Sequence, residues 1–229
     1  MNTSREQMLE RIREAVKEGN RAGGSPERIP ERGQVGYQGA GADPLVCFAA
    51  VLTAAGGQLH VVADGAAAVA MILQLVRSRS TRCVLLGRCD VLDALAIVEP
   101  LRAAGVELVE VAAGRDTSKE WFAAEVGLSG VDYLIAETGS IVLASRPEQP
   151  RSLSLLPPVH IAVAERRQLL PDLFDLFAAL GAQGADLPSG LTIITGPSKT
   201  GDIELRLVTG VHGPGEVHVV LIESESKNG

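Results

Sequence analysis

The stretch "QLHVVADGAAAVAMILQLVRSRSTRCVLLG", residues 58–87, decides the fold class. Its ends, "QLHVVA" and "RCVLLG", are short apolar runs rich in branched side chains, which read as strands. Between them "GAAAVAMILQLVRS" carries apolar residues at helical spacing. A strand, one helix and a second strand, joined tightly, describe a βαβ unit with parallel strands. Downstream the rhythm repeats: "VLDALAIVEPLRAAG" reads as a helix and "VELVEV" as another strand.

After Asp132 the pattern changes. "DYLIAETGSIVLAS" holds two apolar runs separated only by Glu137-Thr138-Gly139, and "RSLSLLPPVHIAVA" holds another pair around Pro157-Pro158. Spacings this tight leave no room for crossover helices, so this middle section is expected to be hairpin-like and antiparallel. Helix returns at "RRQLLPDLFDLFAAL", and "LTIITGPSKTGDIELRLVTGVHGPGEVHVVLIE", residues 191–223, closes the sheet. The expectation is a three-layer α/β/α domain with a mixed, mostly parallel sheet over residues 44–225. Ahead of it, residues 1–43 divide into an amphipathic helix at 4–19 and a flexible connection at 20–43, rich in Gly, Pro and charge. Asp43-Pro44 reads as an N-cap followed by proline at the first helical position.

Composition narrows the function classes. The chain has 229 residues, 46% hydrophobic content and only 3% aromatics, so one core of Ala, Val, Leu and Ile is expected. A net charge of −7 without a basic stripe argues against nucleic-acid and acidic-membrane partners. The polar N-terminus and the lack of any run of about 20 apolar residues argue against membrane insertion. Cys47, Cys83 and Cys89 lack CxxC spacing, which speaks against a disulfide framework, a zinc site or an iron–sulfur centre held by this chain. A cytoplasmic protein without a cofactor or metal of its own is the expectation.

Two segments carry candidate chemistry. Gly196-Pro197-Ser198-Lys199-Thr200-Gly201-Asp202 joins an apolar run to a stretch read as a helix. Gly196 permits close backbone approach, Ser198 or Thr200 can cap the helix, Asp202 suits its first turn, and Lys199 brings a positive charge. Either the loop cradles a phosphate or carboxylate at the helix N-terminus, or Thr200 simply caps the helix above a solvated lysine. Glu137 ends the run Tyr133–Ala136 and is either a nucleophile or base at a strand's carboxyl end, or a turn residue accepting backbone N–H groups. His160 and His212 are weaker ligand-binding candidates, with loop-fixing as the alternative. His60 and His218 lie inside strands and read as structural. No Walker A loop, GxSxG elbow or GxGxxG after a strand is present.

The phrases "AETGSIVLAS", "RSLSLLPPVHIAV", "TIITGPSKTGDIE" and "LVTGVHGPGEVHVVLIE", in this order, closely resemble the lactate-utilisation family, in particular its C components. Where that family usually reads GPSRTADIE, this chain has Lys199 and Gly201, keeping the charge but not the planar fork of arginine. The resemblance implies a fold related to the sugar-phosphate isomerase (NagB/RpiA) and coenzyme A transferase group. It also implies a role, beside iron–sulfur partner proteins, in oxidising L-lactate to pyruvate. Two functions stand: a non-redox subunit of such a system with a small-anion site, or a free-standing isomerase, acyl-transfer or cyclo-ligase enzyme using Glu137.

Overall fold

The computed structural model describes residues 4–22, 39–111, 118–182, 188–201 and 207–224. They fall into two units, Met1–Gln38 and Gly39–Gly229. The first contributes α1 (Ser4–Ala22), the expected amphipathic helix, with Met8, Leu9, Ile12 and Val16 exposed along it. Most of the connection expected to be flexible, residues 23–38, lies outside the described residues.

The second unit opens with α2 (Pro44–Ala55). The Asp43 carboxylate accepts the Leu45 N–H at 2.9 Å, Pro44 occupies the first turn, and Gly56 ends the helix in the left-handed conformation. These are the start and stop devices that its sequence advertises. The opening βαβ unit then follows as β1 (Gln58–Val62), α3 (Gly65–Ser78, capped by Asp64) and β2 (Cys83–Leu86). The next helical stretch divides into α4 (Asp90–Ala94) and α5 (Val98–Ala103), with Ala96 at φ 46° between them. Proline is tolerated in a first helical turn and disruptive further in, so the second helix begins just ahead of Pro100. Then come β3 (Glu107–Glu110), α6 (Ser118–Ala123) and β4 (Val126–Gly130).

The middle section comprises β5 (Tyr133–Ile135), β6 (Ser140–Ala144), α7 (Ser152–Leu155) and β7 (Val159–Glu165). After it come a 3₁₀ turn at Arg166–Gln168, β8 (Leu169–Leu170), α8 (Leu173–Ala182) and β9 (Leu191–Ile194). The chain closes with β10 (Lys199–Gly201), β11 (Leu207–Thr209) and β12 (Glu216–Ile222).

Six strands in the order β1-β12-β7-β4-β2-β3 form a wholly parallel central sheet. On one face Val84, Leu86, Ile161 and Val220 pack with Ile72 of α3 and with Ile97 and Leu101 around α5. On the other, Ala162, Val219 and Leu221 meet Phe48 and Leu52 of α2 and Leu134 and Ile141 of the β5–β6 hairpin. Each such aliphatic side chain contributes roughly 1.5–3 kcal/mol when fully buried. Burial on both faces explains why these strands read as continuous apolar runs. Among the described residues no helix is long and apolar enough to cross a membrane.

The α/β class is as expected, and the structure sorts its antiparallel pairs differently. β5, β6 and β9 pair antiparallel and β8 joins β5 in parallel, forming a separate four-stranded sheet. The expected hairpin around Pro157-Pro158 is absent, because Ser152–Leu155 is a helical turn and β7 enters the central sheet between β12 and β4. The helix expected after Asp202 falls on residues 202–206, which lie outside the described residues; on either side of them Lys199–Gly201 pair antiparallel with Leu207–Thr209.

Candidate functional site

The stretch where the anion-cradle reading of 196–202 places its helix N-terminus lies outside the described residues, and the described part of the loop bears on the end of α2. Gly196 sits at φ 75°, and a β-carbon there would lie 2.7 Å from the Ala55 carbonyl oxygen. Lys199 is exposed and its Nζ donates to the same carbonyl at 2.6 Å. A cation on the last carbonyls of α2 is at the favourable, negative end of that helix. Ser198 is held through its backbone: its N–H donates to Pro214 O at 2.9 Å, and its carbonyl accepts from Gly210 at 3.0 Å. That ties the loop to the glycine-rich turn carrying exposed His212. Thr200 lies opposite Val208 in the hairpin, and Asp202 lies outside the described residues.

Glu137 stands half-buried at the β5–β6 turn, its N–H donating to Pro171 O at 3.0 Å. The turn presses on α2. Gly139, at φ 62°, has room for no β-carbon, since one would lie 2.5 Å from Leu52 N. Thr138 Oγ1, Ser140 Oγ and Thr195 Oγ1 form a row of hydroxyls, each 2.7 Å from the next. That row joins the Glu137 turn to the residue preceding Gly196, so the two sequence-picked segments meet at one edge of the small sheet.

The His160 side chain shares no hydrogen bond with either segment among the described residues. It is fully buried in β7 with Nε2 2.9 Å from Ser129 Oγ, and burial, with His218 nearby, pushes its pKa down to about 4. His218 and His60 form a stacked pair on the opposite face of the central sheet. Their rings are 5.4 Å apart, and Nδ1 of His218 lies 3.1 Å from Nε2 of His60. Arg79 reaches His218 at 2.9 Å and pairs with Glu216. Burial lowers both histidine pKa values, so this network at the amino end of β12 is built on neutral imidazoles. Among the described residues no group of three or more His, Cys, Asp or Glu is set to hold a metal.

A different feature, unmarked in the sequence reading, occupies the carboxyl edge of the parallel sheet. From β2 the chain steps outward to β3, then returns to β4 and moves the other way to β7. Between β2 and β4 the winding therefore reverses, which is where open parallel sheets leave a crevice for ligands. A cleft of about 630 Å³ lies there, formed by the segments following β2, β4 and β7. None of the candidate catalytic or ligand-binding residues named from the sequence lines it.

Its walls are charged and largely cross-braced. Asp132, just past β4, accepts from Arg146 at 2.7 Å and from the Ala144 N–H at 2.6 Å. Glu165, 3% exposed at the end of β7, accepts from Arg167 Nε at 2.7 Å. Gln168 accepts the Glu165 N–H at 2.7 Å and donates to the Val131 carbonyl, locking the two strand ends together. Arg88 is the most loosely paired of the lining arginines, with its side chain 57% exposed and its nearest carboxylate, on Asp93, 3.5 Å away. Cys89 lies against the backbone of Gly130, and burial pushes its thiol pKa up, which keeps it protonated and a poor nucleophile. Gln149 Oε1 is buried and has no hydrogen-bond partner among the described residues. A cue existed in the sequence: Arg88-Cys89-Asp90 and Val131-Asp132 directly follow apolar strands. Arg146, Gln149 and Arg167 come from connections whose path no local pattern reveals.

Comparison with known proteins places this architecture. Lactate utilization protein C of Halalkalibacterium halodurans is 34% identical over 134 residues, 57% of this chain and 58% of that protein. Its namesake in Bacillus subtilis is 37% identical over 112 residues, 48% of this chain and 47% of that one. The uncharacterized protein YkgG of Escherichia coli is 34% identical over 155 residues, covering 66% and 67%. The chain thus spans about half the length of the first curated relatives it matches. The crystal structure of a DUF162 family protein from Deinococcus radiodurans superposes with a TM-score of 0.56 at 22% identity, covering 79% of this chain and 97% of that one, which shows a common fold. The model of the LUD domain matches residues 47–222, from within α2 to the last residue of β12, and the chain belongs to that family.

Proposed function

We propose that this protein is a non-redox subunit of an L-lactate utilisation system, working beside iron–sulfur proteins in the oxidation of L-lactate to pyruvate. The observation that carries this reading is the LUD-domain match over residues 47–222, with relatives named lactate utilization protein C. The cysteines support the division of labour. Cys47, Cys83 and Cys89 pack against three separate apolar clusters, so they do not converge toward the four thiolates an iron–sulfur cluster takes. Electron carriage then falls to the partners. A small-anion contact belongs to the edge where the hydroxyl row from Thr138 to Thr195 joins the Glu137 turn to the segment leading into Ser198, Lys199 and Thr200.

A second reading makes the chain a free-standing isomerase, acyl-transfer or cyclo-ligase enzyme with Glu137 as nucleophile or base. The feature favouring it is the half-buried position of Glu137 at the end of β5, beside those hydroxyls.

The test is L-lactate-dependent reduction of a dye by the iron–sulfur proteins, with and without this chain, together with growth of a deletion strain on L-lactate. Loss of both without the chain, and their return with it, is expected. Full activity in its absence overturns the reading. Growth restored by wild type but not by Glu137→Gln moves the weight to the enzyme.

A further inference from the structure

We propose that the cleft between the carboxyl ends of β2 and β4 is a binding site for a singly charged, polyhydroxylated organic acid, that is, a hydroxy-carboxylate. Position is the first argument. The cleft lies where the winding of the parallel sheet reverses, and its volume of about 630 Å³ is that of a small-molecule site.

Charge sets the class of ligand. Asp132 with Arg146 and Glu165 with Arg167 are neutralising pairs held by further hydrogen bonds, so they form fixed walls. Arg88 is then the cation that a ligand meets, because its 3.5 Å approach to an exposed Asp93 is a weak surface contact. One guanidinium suits one carboxylate, bidentate and planar. Asp90 and Glu148 share the lining, and together with the wall carboxylates they oppose a polyanion such as a di- or triphosphate. The same carboxylates accept hydrogen bonds from hydroxyl groups.

Size adds the last constraint. A three-carbon acid leaves most of the cleft empty, so the natural ligand carries a longer hydroxylated chain or a larger group on its hydroxy acid. This proposal rests on the lactate reading only in taking L-lactate as the shortest probe.

The experiment is thermal shift and calorimetric titration of the full chain with gluconate, L-lactate, hexanoate and sulfate, on wild type, Arg88→Ala and Asp90→Asn. Gluconate is expected to bind and raise Tm in proportion to the logarithm of its concentration. L-Lactate should bind more weakly, and hexanoate and sulfate should leave Tm unchanged. Arg88→Ala is expected to weaken gluconate at least tenfold while retaining the wild-type circular dichroism. Equal shifts from gluconate and hexanoate, a response to sulfate alone, no response to gluconate, or binding unaffected by both substitutions would each overturn the proposal. Growth of the Arg88→Ala strain on L-lactate is read separately. Unimpaired growth with lost gluconate binding leaves the lactate role standing and detaches it from this cleft.

Discussion

Ser129 of β4 and His160 of β7 share a 2.9 Å hydrogen bond on one face of the central sheet, where Ser129 stands level with Ala162, two residues along from the histidine. Nδ1 of His160 is buried with no partner among the described residues. The tautomer that donates from Nε2 to Ser129 therefore leaves a lone pair unmet rather than a buried N–H. A cavity of about 10 Å³ lined by Ser129, Ser145 and Gln149 adjoins the serine. That volume is near the limit for one water molecule.

Acid should unfold this protein through that imidazole. The folded state holds the His160 pKa at about 4, below its ordinary 6.5, so the unfolded chain binds more protons between those values. The stability this contributes is complete above pH 6.5, drains away as pH falls, and is gone below about 4. The span corresponds to something on the order of 3 kcal/mol. His60 and His218, also lowered by burial, tilt the curve the same way. Urea midpoints between pH 8 and 4 should fall steadily for wild type and less steeply for His160→Gln; parallel curves would remove His160 as the cause.

Glycine at the β5–β6 turn is predicted to be irreplaceable. Gly139→Ala combines a left-handed backbone with a β-carbon 2.5 Å from Leu52 N, and should cost more than about 2 kcal/mol. Gly181→Ala, with open space around it in α8, should instead stabilise by up to about 1 kcal/mol. Opposite signs in chemical denaturation check the pair.

Lys199 offers a test that separates scaffold from ligand. Its ammonium on the Ala55 carbonyl predicts a loss of about 0.5–1 kcal/mol for Lys199→Met, with Lys199→Arg near neutral. If Lys199 also contacts an anion, the methionine variant loses any stabilisation by phosphate or L-lactate that wild type shows. An unchanged anion response confines it to the helix end.

The Asp132–Arg146 pair should show measurable coupling. Asp132 is largely buried and also holds the Ala144 N–H, so Asp132→Ala is expected to cost about 1–2 kcal/mol and Arg146→Ala less. A double-mutant cycle should return a positive coupling of about 1 kcal/mol. A value near zero would make the ion pair incidental.

The helical and parallel parts of the fold were legible because their signals are local. The cap at Asp43 and the apolar strands each state their role within a few residues. The separate small sheet was not, because β9 pairs with β6 and β8 with β5 across long stretches of chain, and no short-range pattern names a partner. At the candidate sites the glycines at 139 and 196 and the exposed Lys199 were visible, while the tasks they perform depend on α2 lying beneath them. The cleft was invisible for a related reason. It is assembled from strand ends distant in sequence, and its arginines carry no motif.

The place of β12 has a consequence for how the chain comes together. It lies between β1 and β7, so the earliest central strand finds its neighbour last: His60 and His218, facing each other across that pairing, are 158 residues apart. At translation rates of about 5–20 residues per second, β1 waits roughly 8–30 seconds for its partner. Through that interval the nascent chain exposes two unpaired strand edges, on β1 and β7, bordering a gap one strand wide. Such a gap admits another chain's strand as readily as its own, so soluble yield should depend on synthesis rate and on holdase chaperones more steeply than equilibrium stability implies.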